Sequence, residues 1–444
     1  MKKILLLFLS ILASGFTTHL CAQEFSLDAD LRARYEHRRG SFTLRPVNDA
    51  QDVAANFVTQ RTRIITSFAD KSSKLSFKLS LQDIRTWGAT PQLGIGDNNN
   101  LGMYEGWGTI HFDTANFIRI GRQELSYDDN RFLGNVDWAM QGRSHDAILY
   151  QHKGDYELQI GAAIHNNRET QFREQYTVNN YKAMQFARFN KKLDALDLTL
   201  LFFNNGQEYI DNNNPTREDL ETIYSQTYGA RAKFDLDIIK FDINFYYQGG
   251  KDATDVKIRA FDLSPVITLG LDNGVSIVAG FEWLSGSDIN FDTPGTPIRI
   301  ESKNKSFSPF YGTNHKFNGL MDYFYVGNHF NNVGLQDYFG GFNVKADDLK
   351  FYGMIHIFNT WGNMIQNNEE IDKYLGAEVD LTAMYSLNEF INIQGGVSAM
   401  FADENMEVLK GGDADKFNYW AWAMVVIKPN LFKASGWKKN NSAN

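Results

Sequence analysis

The sequence of 444 residues contains one cysteine and only 8 prolines. Cys21 lies in an N-terminal segment with the features of a secretory signal, so cleavage after Ala22 leaves no thiol, disulfide or cysteine-based metal site. Long apolar runs are also missing. The run from Ile4 to Phe16 is too short for a spanning helix, and no other stretch approaches the roughly 20 apolar residues that such a helix needs. A chain of this kind can cross a membrane only as strands.

The N-terminal segment predicts export. Lys2 and Lys3 precede the apolar run, and Cys21-Ala22 precede the polar Gln23. We therefore expect a signal peptide over residues 1–22, one domain over residues 23–430 and a polar C-terminal tail over residues 431–444, since no Pro- or Ser-rich linker divides the chain. The formal net charge of −9 argues against nucleic acid as a partner.

An alternation of apolar and polar residues begins directly after the signal segment. From Phe25 to Tyr35 the odd positions are apolar, and the even positions between them are polar or charged. Successive side chains of a strand point to opposite faces, so the segment has one apolar and one polar face. Aromatic residues make up 14% of the chain and the mean hydropathy is −0.39, which is typical of strands that are apolar on one face only.

Eighteen segments carry this strand pattern, and the connections between them alternate between short and long. The short connection after residue 69 and the long one near 40–55 are examples, whereas the connection near 250–255 is short where a long one is expected. The pattern predicts an all-β fold: a transmembrane, antiparallel, up-and-down β-barrel of about 18 strands in the cell outer membrane. The alternative is a secreted β-sandwich, propeller or β-helix, although we find no fixed-period repeat.

Charged side chains that alternate with apolar ones should face the water-filled lumen. Arg32, Arg34, Arg61 and Arg63 lie on two neighbouring strands, where like charges repel unless acids or an anionic solute neutralise them. Each such residue alone has a structural explanation, because a barrel wall needs polar lumen side chains. Together they predict a pore that prefers anions. The pore-lining candidates are Arg32, Arg34, Arg61, Arg63, Lys74, Lys78, Arg119, Arg231, Lys233, Arg259, Glu378 and Asp380.

Other features suggest less specific roles. The sequence contains no nucleotide-binding, zinc-protease or nucleophile-elbow motif, and Asp128, Asp129 and His145 are the only candidates for a hydrolytic set. Trp420 and Trp422 are expected in an interfacial aromatic girdle. The long connection over residues 287–332 is expected to be ordered and to narrow the pore, with positive charge at the entrance from Lys303, Lys305, His315 and Lys316.

Three segments resemble the alginate export porin family: residues 121–147, which begin Gly-Arg-Gln-Glu-Leu-Ser-Tyr-Asp-Asp, residues 307–324 and residues 375–381. The resemblance implies an eighteen-stranded outer-membrane barrel whose arginine-rich pore passes the anionic polysaccharide alginate. It also implies that Arg122 and Arg143 lie in the pore or at its mouth. Arg122 shares the face of Ile118 and Ile120, so an inward position requires a bulge near Gly121.

The leading hypothesis is a channel that passes anionic solutes such as alginate or other uronate poly- or oligosaccharides through an arginine-lined lumen. Its expected partners are the anionic saccharide, outer-membrane lipid and the barrel assembly machinery, without a metal or another cofactor. The main alternative is a general or nutrient-uptake porin for small anions. An outer-membrane barrel enzyme that uses Asp128, Asp129 and His145, and an adhesive barrel with a closed lumen, are the alternatives from other functional classes.

Overall fold

The computed structural model describes residues 23–93, 101–176, 181–209, 221–292, 297–325, 329 and 332–435. The expected signal peptide and residues 436–444 lie outside these ranges. No helix in the described part of the chain is long and apolar enough to cross a membrane.

Strands form almost all of the regular structure. The wall strands are β1 (Gln23–Arg39), β2 (Ala55–Asp70), β3 (Leu75–Thr86), β4 (Leu101–His111), β5 (Asn116–Gln123), β6 (His145–Lys153), β7 (Glu157–Ile164), β8 (Ala183–Leu193), β9 (Leu196–Glu208), β10 (Thr222–Leu236), β11 (Ile239–Gly250), β12 (Ala260–Gly270), β13 (Val275–Leu284), β16 (Leu335–Ala346), β17 (Leu349–Asn359), β20 (Tyr374–Ser386), β21 (Ile391–Ala402), β22 (Asn418–Ile427) and β23 (Asn430–Ser435). The long loops contain β14 (Ile289–Asn290), β15 (Ile298–Arg299), β18 (Met364–Gln366), β19 (Glu369–Ile371) and the helix α1 (Glu404–Lys410).

The wall is a closed, antiparallel, up-and-down barrel. Each wall strand pairs with the next one in the chain, and β22 and β23 both pair with β1, which closes the sheet. Pro429 separates β22 from β23 because proline has no N–H for the ladder, but its carbonyl still accepts a hydrogen bond from Ala29 N at 3.1 Å. β22 and β23 therefore act as one wall strand, and the predicted eighteen-stranded barrel is confirmed. Residues 431–435, which we expected in the polar tail, belong to this last strand.

The outer face of the barrel is apolar. Phe77 and Ile120 are 50% and 54% exposed although they lie within wall strands, while Ser80 and Thr109 on the opposite face are buried. A closed wall with apolar side chains outside satisfies its own backbone hydrogen bonds, which is the requirement for strands in a lipid bilayer. Short turns join the strands at one barrel end and long loops join them at the other, as the alternation of connection lengths predicts.

Two long loops, which we call L3 (residues 124–144) and L7 (residues 285–334), fold into the barrel in the parts that the structure describes. An isolated parallel bridge joins Leu133 of L3 to Tyr311 of L7. Phe132 packs against the inward Phe203 with ring centroids 4.9 Å apart, and Phe324 packs against the inward Phe358 at 4.6 Å. Apolar side chains therefore face inward at some of the places where the wall contacts these loops.

The position of two tryptophans contradicts the expected interfacial girdle. Trp420 and Trp422 of β22 are 2% and 7% exposed and point into the barrel. Their rings lie 5.5 Å and 4.8 Å from the ring of Trp138 in L3. They bury apolar surface against L3, which is why strand β22 carries large aromatic residues on its inward face.

Candidate pore constriction

L3 lies against the arginines of β1 and β2. Arg32, Arg34, Arg61 and Arg63 face inward as predicted, and each is at most 6% exposed. Arg32 Nη1 lies 2.9 Å from Asp137 Oδ2 in L3, and Arg61 Nη1 lies 3.3 Å from Asp137 Oδ1. The arginines thus bind L3 to the wall, a role that the strand pattern alone did not predict.

Trp138 in L3 forms a second contact with this wall. Arg34 Nη1 donates a hydrogen bond of 2.6 Å to the Trp138 carbonyl, and the Arg34 guanidinium carbon lies 3.9 Å from the centroid of the Trp138 ring. This is the geometry of a cation–π contact. Trp138 also stacks on His315 of L7, with ring centroids 4.4 Å apart. Trp138 therefore connects the β1 wall to both inner loops.

The basic cluster carries more positive than negative charge. Arg32, Arg34, Arg38, Arg61 and Arg63 face three carboxylates, those of Asp30, Glu36 and Asp137. Five arginines against three carboxylates leave two positive charges in excess.

Arg63 is one source of this excess. Its Nη2 donates a hydrogen bond to the neutral Gln82 Oε1 at 2.7 Å, and its guanidinium carbon lies 3.6 Å from the centroid of the Tyr104 ring. Among the described residues it has no carboxylate partner. The Asp137 side chain is 46% exposed, so solvent reaches the basic cluster at this residue.

Basic residues continue along β3 and β5. Lys78 faces inward and pairs with Glu105 at 2.5 Å. The Arg119 guanidinium carbon lies 4.1 Å from the centroid of the Trp107 ring, and Arg119 forms no ion pair in the described part of the chain. The inner wall from β1 to β5 is therefore a basic surface, with Arg63 and Arg119 as its cations without an acidic partner.

A third group of cations holds the start of L3. Arg188 on β8 pairs with Asp128 at 2.6 Å, and Arg231 on β10 pairs with Asp242 and lies 3.8 Å from Asp129. Lys233 follows on the same face of β10 near a short turn and is exposed. Asp128 and Asp129 thus neutralise wall arginines. His145 instead contacts Tyr181, with Nδ1 2.9 Å from the tyrosine hydroxyl, so these three residues do not form a hydrolytic set.

The opposite inner wall is acidic. Asp262, Glu282, Asp337, Glu378 and Asp380 face inward from β12, β13, β16 and β20, and all are at most 4% exposed. Glu378 and Asp380 point inward, and their role in solute passage stays a prediction.

L7 uses these acids as anchoring points. Met321 N donates to Glu378 Oε1 at 2.8 Å, and Asn318 Nδ2 donates to Glu282 Oε2 at 2.6 Å. The acids therefore hold L7 in the barrel as well as balancing the arginines.

Arg131 extends L3 across to the acidic wall. Its Nη2 lies 2.5 Å from Glu282 Oε1, and its Nε lies 3.4 Å from Asp262 Oδ2. Burial opposes the charged guanidinium, yet the Glu282 and Asp262 carboxylates outweigh it and raise the pKa of Arg131. L3 therefore presents acids to the basic wall and a base to the acidic wall.

Three cationic side chains of L7 also have polar partners. His315 Nδ1 lies 2.9 Å from Asp322 Oδ2, and Lys316 Nζ donates to the Asp129 carbonyl at 2.9 Å. Lys305 pairs with Glu301 at 2.5 Å. The described part of L7 is folded and narrows the barrel interior, as expected, whereas the His315 and Lys305 ion pairs lie within L7 and Lys316 joins L7 to L3.

Several predicted pore residues lie elsewhere. Lys74 occupies the turn between β2 and β3 with φ of 56° and is exposed. Arg259 precedes β12 and is exposed, and the inward Ala260 next to it shows that the predicted strand parity was wrong here. Arg122 faces outward and pairs with Asp146 at 2.8 Å. No bulge turns it inward, since β5 pairs with β4 and β6 without a register shift.

Arg143 lies at the end of L3, where its Nη1 donates to the Gly312 carbonyl of L7 at 2.9 Å. Burial lowers the pKa of its guanidinium. It is a residue of the barrel mouth, which agrees with one of its two expected positions. The described residues include no group of three or more His, Cys, Asp or Glu side chains that could hold a metal ion.

Sequence reasoning missed the cations and acids that bind the loops. Arg188, Arg131, Asp262 and Glu282 are all at most 7% exposed and form ion pairs inside the barrel. On β8 the inward face also carries Met184 and Phe186, so the alternation that marks an inward arginine elsewhere is lost there. Arg131 lies within the first motif segment, which was the only available signal for it.

The comparisons with known proteins identify the fold. No family model and no curated protein matches this chain. The crystal structure of Pseudomonas aeruginosa OpdL is similar with a TM-score of 0.61 and 11% identity, over 92% of this chain and 99% of that chain. OpdO of the same organism has a TM-score of 0.59 and 12% identity, over 92% and 98%. The outer membrane protein OpdK of P. aeruginosa has a TM-score of 0.58 and 9% identity, again over 92% and 98%.

These likenesses show that the chain has the closed-barrel fold of those proteins. They give no specific support to the alginate export family, which the three sequence segments resemble.

Proposed function

We propose that this protein is an outer-membrane channel that passes small anionic solutes. The observation that carries the proposal is the basic inner wall of β1 to β5, whose arginines exceed their carboxylate partners and lie where L3 narrows the barrel. The similar structures include a protein described as an outer membrane protein, which supports the same location for this barrel. None of the residues considered for hydrolysis forms an acid/base set, so a channel is favoured over an enzyme.

The electrostatics of this wall suit a carboxylate or phosphate solute. At about 4 Å and an effective dielectric constant near 20, one such group beside one guanidinium gains about 4 kcal/mol before desolvation. Asp137 competes with the solute for Arg32 and Arg61, which limits how tightly an anion is held. Permeation requires this balance because a solute bound too strongly at one site does not leave it.

The inner loops favour small solutes over a polymer. L3 and L7 are tied to the wall by buried ion pairs on both sides, including Arg61 with Asp137 and Arg131 with Glu282. A polysaccharide strand such as alginate would have to pass beside these loops or displace them. Alginate and other polyuronates remain within the anionic class that the proposal covers, but small anions fit the narrowed interior better.

The proposal is tested by comparing solutes of equal size in proteoliposomes. Glucuronate and glucose differ by one carboxylate, so their entry rates report charge preference with little change in volume. We expect faster entry of glucuronate, and a smaller preference in Arg63→Gln, which removes a cation without an acidic partner. Equal rates for the two solutes in the unmodified barrel would refute the proposal.

A further inference from the structure

The barrel wall is incompletely paired at its loop end between β6 and β7. β6 pairs with β5 as far as His145, and β7 pairs with β8 as far as Ile164. The ladder between β6 and β7 themselves stops at Ile148 and Ala162. The ends of the two strands therefore diverge and leave a notch in the wall. A side chain crosses this notch, since His165 Nε2 lies 3.3 Å from the Asp146 carbonyl.

A cavity of about 510 Å³ opens at this notch. Its outer side is formed by Arg122, Asp146 and Ile164, and its inner side includes Arg143, His145 and Tyr311. A volume of this size lies within the range of pockets that bind small molecules. The cavity thus connects the outer surface of the barrel with the mouth of its interior.

The polar groups of the cavity are suited to an anion. Arg143 binds only the Gly312 carbonyl and the Tyr311 ring, and it has no carboxylate partner within the described ranges. Arg122 is 39% exposed in its side chain and shares one contact with the exposed Asp146. His145 is 4% exposed, and its Nε2 has no hydrogen-bond partner in the described structure. Two guanidinium groups and one carboxylate leave a net positive charge.

The cavity lies at the edge of the apolar outer surface. Ile120, Ile148 and Ile160 face outward directly beside it and are 54%, 46% and 48% exposed. Arg122 and Asp146 follow two residues farther towards the loop end on β5 and β6. Ile164 at the rim is 77% exposed. A molecule bound here would have its charged group in the notch and apolar surface beneath it, which is the arrangement of a lipid at the membrane interface.

We propose that this notch binds the phosphate-bearing headgroup of an outer-leaflet lipid. Arg122 and Arg143 contact the phosphate from the outer and inner sides of the wall, and the acyl chains lie along Ile120, Ile148 and Ile160. Binding at this site is separate from the basic wall of β1 to β5, so it does not depend on the proposed transport function.

Native mass spectrometry of the purified full-length barrel tests the site with two probes, diphosphorylated lipid A and its dephosphorylated form. We expect the barrel to retain only the phosphorylated lipid. Arg122→Gln and Arg143→Gln should each weaken retention about tenfold or more, because each removes a charged hydrogen bond. Arg85→Gln is a matched control, since Arg85 also faces outward near the loop end, is 40% exposed in its side chain and pairs with Asp83 at 2.6 Å.

The variants must migrate as folded barrels in unheated gels before they are compared. Equal retention by Arg85→Gln, Arg122→Gln and Arg143→Gln would overturn the proposed site. Retention of both lipid forms would overturn the role of phosphate. Displacement of the lipid by inorganic phosphate alone would identify a free-anion site and would overturn the lipid assignment.

Discussion

Replacing Arg61 by methionine should release L3 from the barrel wall. The Arg61 side chain is fully buried, lies 2.6 Å from Asp30 and 3.3 Å from Asp137, and also donates to the Met140 carbonyl at 3.4 Å. Loss of one partner in a buried ion pair costs about 3–5 kcal/mol when the other charge is left without compensation. The cost is smaller here, because Asp30 keeps Arg32 at 3.1 Å and Asp137, whose side chain is 46% exposed, keeps Arg32 at 2.9 Å. The strand ladders of β1 and β2 do not involve this side chain. The cost should therefore appear as detachment of L3 while the barrel itself stays folded.

Limited proteolysis of the purified barrel, combined with single-channel recording, measures this effect. We expect faster cleavage within L3, larger conductance and more current noise in Arg61→Met. Arg63→Gln is the control for the protease assay, since Arg63 contacts Gln82 and Tyr104 on the wall and forms no described hydrogen bond or ion pair with L3. It does not serve as a control for conductance, because this variant is itself expected to alter anion passage. An Arg61→Met barrel with unmodified protease resistance and conductance would refute the idea that this arginine anchors L3.

Three further predictions concern the outer face, L3 and L7. Phe77→Lys places a charge on the lipid-facing surface, and because Phe77 is the third residue of β3 it should cost less than the roughly 2–4 kcal/mol of a midplane position. The yield of assembled barrel should fall, and normal assembly would show that Phe77 does not face lipid. Trp138→Ala removes the cation–π contact with Arg34 and should raise conductance, whereas unchanged conductance would show that Trp138 does not narrow the pore. Burial lowers the pKa of His329 in L7 from 6.5 to about 3, so its contribution to L7 packing is complete above pH 6.5 and is lost as the pH falls towards 3. At pH 4.5 the lost free energy of L7 packing is about 2–3 kcal/mol. Hydrogen exchange of L7, corrected for intrinsic rates, should detect this loss. The pH dependence should be absent in His329→Gln.

The orientation of the basic residues on β1, β2 and β3 could be predicted from the sequence. Arg32 and Lys78 alternate with apolar residues that face lipid, and Arg61 lies on the face opposite Val58 and Ile64. This contrast is preserved because one side of the wall contacts hydrocarbon. The same rule applies to Glu378 and Asp380 on β20. In a strand with a lipid-facing side and a polar inner side, the alternation of apolar and polar residues shows which side chains face inward.

The rule fails at inward positions where aromatic side chains of the wall pack against L3 and L7. Trp420 and Trp422 are apolar yet face inward, because their partner is the Trp138 ring of L3 rather than water. The position of Arg259 was mispredicted because the strand begins at Ala260, which leaves the arginine in the preceding loop. Strand periodicity contains no information about which loop folds into the barrel, so these partners could not be predicted from it.

The role of the arginines was only partly predictable for the same reason. Four arginines on two adjacent strands indicate that anions must neutralise them, but the sequence does not say whether those anions are solutes or loop carboxylates. Asp137 neutralises part of their charge, although it lies more than 70 residues after Arg61 in the sequence. Arg122 was assigned to the pore only through the family resemblance, and its outward pairing with Asp146 shows that the strand parity was the better guide.

The reversal potential of single channels under a KCl gradient tests the central claim most directly. The basic wall of β1 to β5 predicts that chloride passes more readily than potassium at neutral pH, and that Arg63→Gln reduces this preference while the barrel still inserts. A reversal potential of the sign expected for cation selectivity in the unmodified protein would contradict the account.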